Sequence, residues 1–256
     1  LSYKLSNENT FDASLKVIMD DLNFSSILPT GHVIKGDSDF SGSISGSLNN
    51  PSIKIDRGHV LYNAHYNNNT TGTLLNNIKL NLENIPGREE IRVVLKSNDA
   101  LQGNLDFIGL LKIPQINDYE FTGNLKLNKL KLIDNYRHDL KLSGEFELVK
   151  NPKEVIHITG QGTIDDGSHV SLEDEKWSFK SASLSDYIIH DSLESSENKH
   201  EKNKWLVPLY AHCLIKIPQS IDISGKGLSG TLNSDGIKIV VNKLNSLDDL
   251  RLSGKC

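Results

Sequence analysis

The sequence predicts an all-β protein, an elongated curled sheet with little helix, left open as a groove or partly closed as a barrel or solenoid. Three observations predict it. Apolar and polar residues alternate in short runs, turn-forming clusters separate the runs, and a small glycine-centred unit recurs along the chain. Alternating residues face opposite sides of a strand, so each such run has one apolar and one wet face.

Taken in order, the first element is the least clear. Phe11, Leu15, Ile18 and Leu22 fit helical spacing, but 13–22 also reads as a strand followed by a helical turn over 25–28, and the β character of the neighbouring chain favours the strand. Alternation then marks Ile53-Lys54-Ile55, Ile78-Lys79-Leu80-Asn81-Leu82, Leu125-Lys126-Leu127-Asn128-Lys129, Leu140-Lys141-Leu142, Ile156-His157-Ile158, Ile215-Lys216-Ile217 and Ile237-Lys238-Ile239. Leu48-Asn49-Asn50-Pro51, Asn67-Asn68-Asn69 and Asp165-Asp166-Gly167 are the turn clusters. The organisation expected is a repetitive β segment over 1–190, a polar linker over 191–204, and further strands of the same sheet over 205–256.

The recurring unit places a glycine two residues after an apolar one, as in Phe40-Ser41-Gly42, Phe121-Thr122-Gly123, Leu142-Ser143-Gly144 and Leu228-Ser229-Gly230. Gly103, Gly123 and Gly144 follow at 20 and 21 residues, a period that suits two strands and two turns. Glycine inside a strand marks a bulge, a bend or a close approach, and repeated it lets a sheet curl; ordinary turn glycine is the alternative.

The 256 residues carry 28 basic and 33 acidic side chains, net −5, without the basic stripe of a nucleic-acid module. Hydrophobic residues are only 37%, and no run approaches the ~18 apolar residues of a membrane-spanning helix. The chain begins at Leu1 and ends at Cys256 inside a strand-like pattern, and is expected to be a piece of a longer protein. Cys213 and Cys256 are either two free thiols or one bridge. Roughly one residue in ten is Asn, an excess expected from base composition, and the sequons at Asn23, Asn68 and Asn69 carry little weight in such a chain.

No catalytic, metal or cofactor constellation emerges. Gly225-Lys226-Gly227-Leu228-Ser229-Gly230 spells a dinucleotide fingerprint, but no helix can follow it to hold a pyrophosphate, so it belongs to the glycine repeat. His59 and His65, expected on either side of a turn, lack further ligands at metal spacing. Asp37 and Asp39, and Asp165 and Asp166, read as turn acids, and His212 and Cys213 as strand neighbours on opposite faces.

Several stretches resemble the TamB family of translocation and assembly module subunits, related to AsmA-like proteins. Phe40-Ser41-Gly42-Ser43-Ile44-Ser45-Gly46-Ser47-Leu48-Asn49-Asn50-Pro51-Ser52-Ile53 is similar to its G-t-L-x-x-P-x-i element, and Gly58-His59-Val60-Leu61-Tyr62 with Gly72-Thr73-Leu74-Leu75-Asn76-Asn77-Ile78 to the continuation. Trp177-Ser178-Phe179-Lys180-Ser181-Ala182-Ser183-Leu184 resembles its recurring W-x-l-x-x-a-x-l strand, and Ile221-Asp222-Ile223-Ser224-Gly225-Lys226-Gly227-Leu228 its i-f-i-x-G-x-G-L stretch. The likeness is strongest over 36–83 and 205–232.

The resemblance implies a half-open tube, a β-taco, in the periplasmic portion of an inner-membrane-anchored protein. It implies a noncatalytic part in phospholipid transport between the membranes or in outer-membrane protein assembly, with a TamA-type outer-membrane barrel as partner through regions outside this sequence. The residues agree: an apolar face on an unclosed sheet needs cover, and acyl chains can supply it at about 0.8 kcal/mol per buried CH2. Candidates to line that groove are Ile53, Ile55, Ile78, Leu80, Leu82, Ile91, Val93, Leu95, Leu125, Leu127, Leu140, Leu142, Ile156, Ile158, Ile237 and Ile239. The alternative function is a β-solenoid scaffold, adhesin-like, binding protein or carbohydrate.

Overall fold

The computed structural model describes residues 2–5, 10–23, 31–47, 49–115, 118–135, 138–171, 209–225, 228–242 and 250–255. They form β1 (Ser2–Leu5), β2 (Thr10–Asn23), β3 (His32–Ser47), β4 (Asn50–Asn68), β5 (Leu74–Asn84), β6 (Ile91–Asp99) and β7 (Asn104–Gln115). The chain continues through β8 (Asp118–Asp134), β9 (His138–Lys150), β10 (Ile156–Ile164), β11 (His169–Ser171), β12 (Leu209–Gly225), β13 (Leu228–Asn242) and β14 (Leu250–Lys255). All belong to one sheet. From β1 to β10 each strand pairs antiparallel with its neighbour in sequence; β10 then pairs parallel with β12, and β13 and β14 follow antiparallel. The order is linear, so the sheet is open and curled, neither a closed barrel nor a stack of solenoid coils. No helix occurs among the described residues.

The ambiguous stretch at 13–22 is strand β2. The helical turn expected over 25–28, the strand expected over 177–184 and the polar stretch over 191–204 lie outside the described residues. Two local expectations are corrected. His59 and His65 do not flank a turn: both sit in β4, which runs unbroken for 19 residues. The period near 20 is not two strands and two turns. Gly123 and Gly144 lie in adjacent strands, so each period is one long strand and one turn, while Gly103 sits in the β6–β7 turn. Asp165-Asp166-Gly167 is a turn between two strands, as expected, but not a hairpin turn. It interrupts one strand position, because β10 and β11 both lie between β9 and β12. That break is stitched shut: Ser143 Oγ donates to Asp165 Oδ2 at 2.7 Å, Ser168 Oγ donates to the Asp165 carbonyl at 2.7 Å, and the Lys141 amide donates to Ser168 Oγ at 3.2 Å.

Four register shifts coincide with a left-handed residue: Asp21 (φ 55°) in β2, Asn63 (49°) in β4, Asn77 (51°) in β5 and Lys129 (50°) in β8. Each inserts extra residues into one strand and bends it. Asn and Asp tolerate this region better than other non-glycine residues, so part of the Asn excess has a local use. A bulge also reverses alternation. Strict alternation from Leu127 would put Leu130 on the wet face; with Lys129 bulged, both leucines are buried in one cluster, at 7% and 2% exposure.

Beyond these bulges the strand ends form an unusual rim. β6 stops at Asp99 and β7 starts at Asn104, whose partner on β8 is Asn128. β8 runs on to Asp134 with no β7 beside it. Its exposed backbone groups find other partners. The Lys131 amide donates to Asp99 Oδ2 at 2.8 Å, the Leu132 carbonyl accepts from Thr73 Oγ1 at 2.5 Å, and the Asp134 amide donates to the Thr71 carbonyl at 2.8 Å. Asp99, 3% exposed, also accepts from the amides of Leu101 (2.7 Å) and Gly103 (2.8 Å). The β4–β5 tip therefore meets β8 directly, past the end of the shorter β6–β7 hairpin. A cleft of about 200 Å³ remains among Asn67, Gly72, Leu74, Asp99, Ala100, Lys131 and Asp134. Lys131 holds Asp134 at 2.8 Å and Asp139 at 3.1 Å; burial alone would lower its pKa, but the two carboxylates outweigh that and raise it.

The strand glycines make room for aromatic rings. Gly109 and Gly123 are register partners, and the Phe107 ring lies over both: a Cβ at Gly123 would stand 2.6 Å from its Cε2 and one at Gly109 2.9 Å from its Cζ. Phe107 stacks on Phe121 at 5.6 Å. Phe146 does the same at Gly144 and Gly160, with hypothetical Cβ contacts of 2.9 and 2.8 Å to its ring. The rings cover backbone that bare glycine would leave exposed, and they lie along the sheet.

At the other strand ends, Lys150 Nζ donates to Asp118 Oδ1 (3.1 Å), the Tyr119 carbonyl (2.8 Å) and the Asn151 carbonyl (3.3 Å), and sits 4.0 Å from the Tyr119 ring centroid. The Lys153 backbone amide, helped by Lys150, holds the Asp118 carboxyl below its ordinary pKa.

Three outcomes are expected. Asp99→Ala strands three amide donors and should lower stability by about 3 kcal/mol, with Asp99→Asn falling between it and wild type in urea unfolding; a change under about 0.5 kcal/mol would remove Asp99 from the account. Gly123→Ala should cost about 1–3 kcal/mol by overpacking against Phe107, and Phe107→Leu should recover part of that loss in a double-mutant cycle, whereas additive effects would mean the ring and the glycine are independent. Because the folded pKa of Asp118 is depressed, its contribution is present above the ordinary carboxylate range and lost as pH falls through the folded value. The stability gap between wild type and Asp118→Asn should therefore be constant near neutrality and close in acid; a gap independent of pH would refute the assignment.

Candidate functional site

Pairing registers align the strands' apolar positions into rows that cross the sheet. One row runs Leu61, Leu80, Leu95, Phe107, Leu125, Phe146, Gly160, Cys213, Ile239, Leu252, from β4 to β14. Beside it runs Leu82, Val93, Gly109, Gly123, Leu148, Ile158, Ala211, Val241, Leu250. A third holds Leu105, Leu127, Gly144, Gly162, Ile215 and Ile237. Neighbouring positions two apart share a face, so from β4 to β12, and at Ile237 and Ile239 of β13, the three rows make one apolar floor.

The opposite face is of different character. Between the apolar rows lie Lys79, Lys96, Asp106, Lys126, Glu145 and Gln161 in the same registers, with ion pairs Lys96–Asp106 at 3.6 Å and Lys126–Glu145 at 3.0 Å. These side chains are exposed, and such pairs keep a face wet more than they stabilise it.

Of the sixteen residues expected to line a groove, Ile78, Leu80 and Leu95 pack with Leu61, Ala64, Ile34 and Tyr66. Leu125, Leu127, Leu142, Ile158 and Ile239 pack with Leu130, Phe146, Cys213 and Ile215. Leu75 touches both clusters and joins them. Leu82 pairs with Val93, Ile91 with Leu111, Leu140 with Ile133, Ile156 with Leu209 and Ile237 with Ile215. Ile53 and Ile55 pair with Ile44 and Gly42 on β3 and belong to neither cluster. Leu61, Leu105, Phe107, Leu130, Phe146 and Cys213 are floor residues that alternation alone did not single out. The signal for the two phenylalanines was present, as a Phe two residues from a Gly in one strand.

Little else on this face is polar. The Cys213 thiol is free and buried, and burial pushes its pKa up, which keeps it protonated and unreactive; His212 faces the other side. Cys256 lies outside the described residues. His59 Nδ1 lies 2.8 Å from Asn81 Oδ1, Asp39 takes both oxygens to Arg57 at 3.1 Å, and Asp37 accepts from the Asp21 amide and Asn63 Nδ2. Among the described residues no three His, Cys, Asp or Glu side chains converge, and no helix is long and apolar enough to cross a membrane. Gly225 ends β12 and Leu228 opens β13, so the fingerprint-like glycines sit at a strand–strand connection. The chemistry this floor offers is chiefly burial of apolar surface; the Ser97 hydroxyl, in register with Leu105, is buried beside it without a hydrogen-bond partner.

The chain matches the family model described as the TamB C-terminal domain over residues 92–255. The match takes in the 205–232 motifs; those at 36–83 precede it. No curated protein and no solved structure matches the chain. More than half of the sequence thus follows one family pattern from β6 to β14, along the strands that carry the apolar rows, and the chain belongs to the TamB family.

Proposed function

We propose that the apolar floor of this sheet carries the acyl chains of phospholipids, as one segment of a periplasmic path between the inner and outer membranes. TamB proteins belong to the Gram-negative envelope and form a non-enzymatic transport and assembly family. The observation that carries the proposal is the continuity of the row from Leu61 to Leu252, apolar or glycine at every strand it crosses on an unclosed sheet. A ligand bound by apolar contact alone gains about 0.8 kcal/mol per CH2 wherever it lies. Equal gain at each strand gives it no reason to stop at one, and that suits passage better than storage. Inner-membrane anchoring and engagement of a TamA-type barrel belong to the same proposal and would use regions beyond these residues. The adhesin-like alternative is a β-solenoid scaffold, and a single sheet of linear strand order lends a solenoid no support.

Phospholipid should co-purify with the protein and be seen by native mass spectrometry. Leu80→Arg, in the row, should reduce it several-fold, while Ile108→Arg, on the opposite face and 44% exposed, should not. Protein free of phospholipid, or equal loss from both variants, would sink the proposal.

A further inference from the structure

The rim where the β4–β5 tip meets β8 invites a mechanical reading. Removing a wedge from a flat cloth and sewing its edges together forces the cloth to cup. The short β6–β7 hairpin is such a missing wedge: β8 extends six residues past its Asn104 partner, and the edges are joined by Thr73 to Leu132 and Asp134 to Thr71. The seam is specified in detail. Gly72 has φ +73°, and a Cβ there would run into the Asp134 carbonyl, so the tip closes only because this residue is glycine. Asp99 fills the point of the wedge and binds the Lys131 amide that β7 would otherwise have paired. The bulge at Lys129 bends β8 just before the seam. None of these contacts belongs to the ladder between adjacent strands, so the seam can open while every strand pair stays intact.

We infer that Gly72, Thr73 and Asp99 are positioning residues that hold the curvature of the sheet, and with it the width of the apolar floor. Only the consequence for bound lipid rests on the acyl-chain reading. With the seam open the sheet relaxes towards the ordinary twist of an open sheet, and its two wings move apart. A wider floor covers each chain less completely, so bound phospholipid falls.

The test uses the full 256-residue chain in a Cys213→Ala, Cys256→Ala background. Two spin-label pairs are placed at exposed sites: Leu74→Cys with Leu132→Cys across the seam, and Met19→Cys with Leu214→Cys across the sheet. Gly72→Ala should lengthen both distances, the second by about one strand spacing, ~5 Å, and lower bound phospholipid at least twofold. Thr73→Val should act the same way more weakly and Thr73→Ser should behave as wild type; this series decides the question if Gly72→Ala fails to fold. A seam that opens while the Met19–Leu214 distance stays fixed overturns the inference. So does a seam that stays shut in both variants. Distances that lengthen with bound phospholipid unchanged leave the curvature standing and overturn its consequence for lipid. If the parent carries no phospholipid yet the distances lengthen, the curvature inference stands and the acyl-chain reading falls.

Discussion

An apolar face on a sheet that never closes must be covered, and most of the structure follows from that constraint. In a sandwich the cover is a second sheet; in a barrel it is the far side of the same one. Here the strand order is linear from β1 to β14, so cover comes only from curling. The two clusters show how far curling goes. Around Leu127, Leu130, Phe146, Cys213 and Ile215 the side chains are buried against one another, while Leu80, Leu82, Val93, Leu95 and Leu125 stay half exposed along the same floor. The partly exposed stretch is the one where the proposed acyl chains would have most surface left to cover.

Curling has a geometric cost, which the chain meets locally. Side chains on an inner face crowd as a sheet bends; glycine at Gly109, Gly123, Gly144 and Gly160 relieves that crowding, and Phe107 and Phe146 fold down into the space. Bulges at Asn63, Asn77 and Lys129 add bend near one rim while keeping leucines inward. The closed wedge at Asp99 adds curvature of another kind, across several strands at once. Crowding relief, bulges and seam thus all bear on one property, the bend of the sheet.

Strand content and the sense of the inner face were legible in the sequence, because a period of two follows directly from strand geometry. Ile78, Leu80, Leu95, Leu125, Leu127, Leu142, Ile158 and Ile239 could be picked out by counting in twos. Counting failed where a bulge shifted the count, which is why Leu130 was missed beside Leu127. It failed for Phe107 and Phe146, whose role depends on glycines of a neighbouring strand as well as their own. It failed at Asp99, whose partner Lys131 is 32 residues away and comes within reach only because β7, the one strand between them, starts at Asn104 and leaves the end of β8 uncovered. Long strands also misled: a period near 20 suggested two strands of ordinary length and was in fact one strand and its turn.

The linear order of strands has one more consequence. Each strand touches mainly those beside it, so extent across the sheet is counted in whole strands, each adding about 4.8 Å. The thirteen strands of the path give a run of roughly 60 Å, before curl shortens it. Reach in such a molecule is an integer variable. Lengthening it needs only another hairpin of the same pattern, and the energetic terms of every existing neighbour stay as they were.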